Sequence, residues 1–416
     1  RDSADVQALV YYVATHPEKK LSLTGRSAGT DMTGGPLTES IVVSFTQYMN
    51  RIKAVGEGFA IAEPGVYYRD FEKATLAQGW LLPSYPASRE LCALGGMVSN
   101  NSGGEKTLTY GKTEDYVQQL KMVLRDGNEY TFHPLNRQQL HEKMAQQDLE
   151  GQIYRDIYAL VTHNQQLLHE AKPRVSKNSA GYYLWNVWDG QTFDMTKLLV
   201  GSQGTLGLLT EVSFRLIKPK KHSELMVIFL NDFKKLADIV LRVLKHKPES
   251  FESYDDKTLK LAIRFAPQLM RVIGAKNWLR LGLAFLPEVS IILRHGFPKL
   301  VLMAEFTGET PAEVFKKMEI AKNDLAEFNV PIRLTKTEDE AKQYWVIRHE
   351  SFNLLRKHVK RKHTAPFIDD LVVLPSQLPE FLPRLNAIMA QYKIEYTIAG
   401  HIGDANFHII PLMDFT

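Results

Sequence analysis

Two histidines stand seven positions apart near the end of the sequence, His401 and His408, in the stretch Gly400–His408 (GHIGDANFH). The runs on either side, Tyr396–Ala399 and Phe407–Leu412, have the composition of strands, and Gly403-Asp404-Ala405-Asn406 between them is turn-forming. A chain reversal there sets the two imidazoles side by side. Neutral imidazoles at hairpin distance are ligands for zinc or a similar divalent metal; a structural pair beside a turn is the alternative. Far upstream, Gly25–Gly35 (GRSAGTDMTGG) carries four glycines, the hydroxyls of Ser27 and Thr30, and Arg26. Glycine lets the backbone turn sharply and lets its N–H groups converge, and such a nest binds an anion, usually a phosphate. A flexible surface turn competes with that reading of the loop.

Two further loops have the same character, Pro86–Gly111 (PASRELCALGGMVSNNSGGEKTLTYG) and Gly201–Gly207 (GSQGTLG). In this order the three loops resemble the FAD-binding domain of the vanillyl-alcohol oxidase superfamily, of the p-cresol methylhydroxylase (PCMH) type. The nearest branch holds D-lactate dehydrogenases, the glycolate oxidase flavin subunit and D-2-hydroxyglutarate dehydrogenase. The resemblance implies noncovalently held FAD, since the first loop has no histidine for attachment. It assigns cofactor contacts to Arg26, Ser27, Ala28, Gly29, Thr30 and Asp31 in a pyrophosphate loop, and to Pro86, Ser88, Gly95, Gly96, Asn100, Asn101, Gly103, Gly104 and Gly111 in the middle loop. In the third loop it assigns Gly204, Thr205, Gly207 and Leu208; Gly201, Ser202 and Thr210 also match, and Gln203 stands where many members have glutamate.

The same resemblance makes His401 and His408 catalytic metal ligands, with Ala405 in place of the family's usual glycine. A positive φ there would strain alanine. Arg348, after Tyr344-Trp345-Val346-Ile347, resembles the arginine that grips a substrate carboxylate; a surface ion pair with an acid such as Glu350 is the alternative. Lys362 or His363 stands near the expected second anion contact, and Asp369 and Asp370 are candidate orienting carboxylates. Family members add a glutamate–histidine pair in a later segment, beyond Thr416, so the C-terminal domain is expected to be truncated.

The elements that must position these groups follow from pattern. Asp2–Ala14 has helical spacing with Ser3 as candidate cap, Val66–Gly79 reads as an amphipathic helix, and Glu142–Glu170 as helical. Gln118–Leu124 and Glu129–Phe132 form a hairpin around Arg125-Asp126-Gly127-Asn128. Lys218–Lys221 (KPKK) marks a boundary. Beyond it, strand Leu225–Leu230, helix Phe233–Leu244, helix Lys257–Phe265, strand Leu300–Phe306, helix Pro311–Phe328 and a strand from Arg333 suggest a ferredoxin-like cap. The expected class is α+β: a PCMH-type FAD-binding domain over residues 1–220, then an antiparallel α+β substrate cap over residues 221–416. Tyr182, Tyr183, Trp185 and Trp188 are expected to pack in a core.

Composition bounds the rest. The chain has 416 residues, 44% hydrophobic, enough for two or three cores, and a mildly basic net charge of +4 that says little about partners; no nucleic-acid partner is expected. Its one cysteine, Cys92, excludes an internal disulfide and an iron–sulfur cluster built by this chain. Electrons must therefore pass on without a cluster of this chain's own; a quinone, a cytochrome or an electron-transfer protein is expected to receive them, with oxygen as the alternative. A cytoplasmic location is expected, with peripheral association at the inner face of the membrane as a variant. The expected reaction is FAD-dependent oxidation of a D-2-hydroxy acid, D-lactate-like, to the 2-keto acid. The rivals are a sugar or alcohol oxidase of the same superfamily and a non-catalytic flavin-binding subunit.

Overall fold

A computed structural model describes residues 1–31, 33–264, 286–358, 363–364, 367–368, 370–392 and 394–414. The chain divides into two compact units, Arg1–Arg174 with Asn178–Pro219, and Val175–Lys177 with Lys220–Thr416.

The first unit begins with a helix at Ser3–Thr15. Its cap is Asp2, whose carboxylate accepts the amides of Ala4 and Asp5, one residue earlier than Ser3. Aspartate fits because its oxygen reaches two otherwise orphaned N–H groups. Strands β1 (Leu23–Arg26) and β2 (Ile41–Ser44) pair in parallel, and the glycine-rich loop joins them. A five-stranded antiparallel sheet runs in the order β3 (Ile52–Gly56), β4 (Phe59–Ala62), β7 (Leu208–Arg215), β5 (Val117–Val123), β6 (Glu129–Phe132). The predicted β5–β6 hairpin is present, with Asn128 N–H donating to Asp126. Helix Tyr68–Leu76 buries Tyr68 and Phe71, and Phe71 meets Phe214 of β7 edge-on at 5.9 Å. The span read as helical, Glu142–Glu170, falls on three helices: Arg137–Ala145, Leu149–His163 and Gln165–Ala171.

In the second unit the strands are β8 (His222–Leu230), β9 (Ser250–Asp255), β10 (Leu300–Gly308), β11 (Ile332–Leu334), β12 (His363–Thr364), β13 (Leu371–Val372), β14 (Glu395–His401) and β15 (Asn406–Met413). Four of them lie in the order β11-β8-β10-β9, antiparallel throughout, and β14, β15 and β12 extend the sheet while β13 pairs with β15. Helix Leu236–Lys245 follows β8 and helix Pro311–Asp324 follows β10. Two βαβ halves with a shared antiparallel sheet are the ferredoxin-like arrangement. Helix Glu338–His358 packs Tyr344 and Ile347 into the cluster formed by Leu225, Val227, Tyr254, Val301 and Met303. Strand β9 was not legible in the sequence, and it carries the buried Glu252 into this unit.

Candidate functional site

In the first unit the three glycine-rich loops share one floor. The Pro64 carbonyl accepts both the Ser27 hydroxyl, at 2.7 Å, and the Gly95 amide, at 2.8 Å. The third loop is tied to the helix Leu94–Asn100: Gly201 N–H donates to Val98 and Gln203 N–H to Ser99, both at 2.9 Å. A side chain at Gly95 would start 2.6 Å from Pro64 Cβ, so only glycine lets the loops close to this distance. Among the described residues the backbone N–H groups of Ala28, Gly29 and Thr30 donate to no protein acceptor. These orphan donors fit a phosphate-rich ligand. The Asp31 carboxylate accepts the amides of Thr33 and Gly35, which holds the far side of the loop in shape.

Several residues of the middle loop serve its own architecture. Asn101, at φ +49°, exchanges hydrogen bonds with Glu114, its amide donating to Oε1 and its oxygen accepting the Glu114 N–H. Gly104 packs beneath the Tyr85 carbonyl, and Gly111 beside Asp115. Thr205 Oγ1 meets Tyr182 Oη at 2.7 Å. Trp188 packs against Phe193 and Tyr158, as expected of a core aromatic, whereas Tyr182 is exposed. Tyr183 faces the buried Lys112, which donates to its hydroxyl and lies 4.5 Å from the ring centre. Pro86 and Ser88 start a turn in which Ser88 O accepts the Leu91 and Cys92 amides. Burial pushes the Cys92 thiol up to about 12, so it is an inert packed residue.

Strand register assembles the site of the second unit. Ala399 lies opposite Tyr254 and Gly400 opposite Ser253, so the next step along β14 and β9 pairs His401 with Glu252. Ala399 also lies opposite His408, which makes His401 and His408 diagonal neighbours on one face. Leu371 faces Phe407, so the residue before β13, Asp370, reaches His408. The result is a row across three strands, ended by the residue before β13. Glu252 Oε1 stands 2.6 Å from His401 Nδ1, the two Nε2 atoms stand 3.3 Å apart, and His408 Nδ1 stands 2.6 Å from Asp370 Oδ1. The turn between the histidines is one of 3-10 form, Ile402–Asp404, closed by Ala405 at φ +48°. Alanine there carries the strain foreseen from the sequence, of order 1–2 kcal/mol. Gly400 has no such freedom to change, because a Cβ would lie 2.2 Å from the Asn406 carbonyl oxygen.

A carboxylate at each Nδ1 fixes the tautomer with hydrogen on that nitrogen. Both Nε2 lone pairs then point at a shared position and repel unless a proton or a metal ion lies between them. Those donors fit one divalent ion, but among the described residues no group of three His, Cys, Asp or Glu side chains converges on such a point. Arg348, from helix Glu338–His358, places Nη2 3.1 Å from Glu252 Oε2. The surface-pair alternative for Arg348 is thereby corrected: its side chain is 10% exposed and its partner is the interior Glu252. Asp370 does orient a histidine. Asp369 and Lys362 lie outside the described residues, and His363 is in β12, opposite Met413.

Two groups in this unit were not foreseen. Glu252 binds His401 and Arg348 at once and is 1% exposed. Val175–Lys177 leaves the flanking chain to join this unit, where Ser176 Oγ donates to Asp404 Oδ1 at 2.6 Å. Burial raises the Asp404 carboxyl, against the opposing pull of Lys177 and the Ser176 bond. No described helix is long and apolar enough to cross a membrane.

Residues 1–132 match the family described as FAD binding domain, and residues 219–416 match FAD linked oxidases, C-terminal domain. The D-2-hydroxyglutarate dehydrogenase of Pseudomonas putida is 24% identical over 99% of this chain, which spans 40% of that relative's length. The glycolate oxidase subunit GlcD of Bacillus subtilis is 26% identical over 94% of this chain and 68% of its own length. The D-lactate dehydrogenase of Archaeoglobus fulgidus is 24% identical over 99% of this chain and 74% of its own. Among solved structures, an alkyldihydroxyacetonephosphate synthase superposes with a TM-score of 0.66 at 14% identity, covering 99% of this chain and 69% of that one. The 4-ethylphenol oxidase of Gulosibacter chungangensis gives 0.65 at 14% identity, with 99% and 74% covered. These likenesses show the fold.

Proposed function

Because the chain belongs to the FAD-linked oxidases, with the FAD binding domain and the C-terminal domain of that family in order, we propose that it oxidises a D-2-hydroxy acid to the 2-keto acid. The observation that carries this reading is the row Glu252–His401–His408–Asp370 with Arg348 on its end. It joins a cation for a carboxylate to a pair of imidazoles whose lone pairs converge. Bound FAD would supply the hydride acceptor, and a divalent ion held by His401 and His408, zinc in the first instance, would supply Lewis acidity toward the substrate hydroxyl. The chain's own residues bind and orient. Arg348 offers a planar fork that matches a carboxylate. Glu252 holds that guanidinium and the His401 ring in one geometry, and Asp370 does the same for His408.

The loops of the first unit would hold FAD without a covalent bond, through the open N–H groups of residues 28–30 and the close approach at Gly95. Acid precipitation is expected to release all the flavin to the supernatant as FAD; flavin in the pellet, or FMN, would overturn this. Gly95→Ala is expected to lower FAD content in the purified protein, because overpacking at this contact costs about 1–3 kcal/mol. A variant with full flavin and unchanged melting temperature would show that the loops do not need this approach. Electrons would pass to a quinone, a cytochrome or an electron-transfer protein. The reaction itself is tested by anaerobic addition of D- and L-2-hydroxy acids while the flavin absorbance is followed.

A further inference from the structure

The lysine in the short segment Val175–Lys177 is a cation with little to hold. Lys177 is part-buried, and its ammonium faces Asn406 at the start of β15. Among the described residues it makes one hydrogen bond, a long one of 3.5 Å to Asn406 Oδ1, and no ion pair within 4 Å. An ammonium has three N–H donors. Among the described residues at least two of them are left without a protein acceptor. The segment is held in position by the Ser176–Asp404 bond. The charged groups that act on the ammonium through space are Asp404 in the turn, Glu252 on β9, Asp370 before β13 and Arg348 on its helix. Lys177 and Arg348 thus act on the same carboxylate, Glu252, from different elements.

We infer that Lys177 is a second cationic contact for the anion received by Arg348, so that the bound ligand is a compact organic anion with oxygen acceptors at both ends. This rests on the proposal that the second unit binds a 2-hydroxy or 2-keto acid. The unfilled donors of Lys177 point to an acceptor from outside the protein, because Asn406, the one acceptor it reaches among the described residues, is buried and held by its own bond to the Leu371 carbonyl. Burial brings the ammonium down to about 8, with the three carboxylates opposing and Arg348 assisting the fall. An anion arriving beside it favours the charged form and raises that value again. Binding near pH 8 therefore takes up a proton.

The test uses the FAD-loaded protein, treated with EDTA, and oxalate as probe, an anion with acceptors at both ends that the flavin cannot oxidise by hydride transfer. Calorimetry at pH 8 in buffers of different ionisation enthalpy should give uptake of roughly half a proton per oxalate bound. Lys177→Met should weaken oxalate binding about tenfold to a hundredfold and abolish the uptake, while Lys177→Arg keeps most of the affinity and loses the uptake. Retained flavin and an unchanged melting temperature identify a folded variant. Wild-type binding with no proton uptake, or equal binding and uptake in Lys177→Met, overturns the role of Lys177 and leaves the reaction standing. Absence of oxalate binding to the wild type overturns both.

Discussion

Glu252→Gln is expected to slow flavin reduction by a D-2-hydroxy acid about a hundredfold, with FAD still bound. Glutamine has the same shape but a single acceptor oxygen. Glu252 accepts on both oxygens, His401 Nδ1–H on one and Arg348 Nη2–H on the other. Whichever way the amide is turned, its NH2 must face one of these donors. Either His401 loses the contact that fixes its tautomer, or Arg348 turns away. Glu252→Ala is expected to be worse for the fold, since it leaves the arginine without this interior counter-charge, a change worth about 3–5 kcal/mol of stability. Stopped-flow reduction rates and thermal unfolding, measured on both variants, check this. A glutamine variant that reduces its flavin at the wild-type rate would remove Glu252 from the site.

Arg348→Met is expected to raise the apparent substrate constant by roughly 30-fold to several thousandfold, which corresponds to about 2–5 kcal/mol for a carboxylate left without its partner. Arg348→Lys should fall between this and the wild type, because a point charge replaces the planar fork. The effect belongs on binding more than on the limiting rate, since the carboxylate is charged in substrate and product alike. Saturation curves of the reduction rate against substrate concentration separate the two. Unchanged curves in both variants would mean that Arg348 serves the Glu252 pair alone.

The glycine-rich loops were legible because a glycine constraint is local: a run such as GRSAGTDMTGG states where the backbone must turn. The ferredoxin-like half was legible for a similar reason, since β8, β10 and the helices after them are long and strongly patterned. Strand β9 was not. Its residues, SFESYD, repeat polar, aromatic and acidic types every three positions instead of alternating every two, yet all six are buried. Tertiary partners decide this: Glu252 is paired with Arg348 and accepts a hydrogen bond from His401, and Asp255 accepts the amides of Thr258 and Ile398. Glu252 and His401 are 149 residues apart, and no local pattern joins them. Lys177 was hidden in the same way, in a polar run whose role depends on contacts with Asp404 and Asn406 at the other end of the chain. The histidine pair was visible because its turn is short, although the carboxylate behind each ring was visible only for Asp370.

The most direct measurement is an anaerobic one. The FAD-loaded protein is mixed with single 2-hydroxy acids, D and L forms separately, together with simple alcohols and sugars, and the oxidised flavin band is followed. At least one D-2-hydroxy acid should bleach the band, its L form should not, and the bleaching should disappear in His401→Ala and His408→Ala while both variants keep FAD. A flavin that stays oxidised with every D-2-hydroxy acid but is bleached by an alcohol or a sugar, or one that no substrate bleaches, would contradict the oxidation of D-2-hydroxy acids.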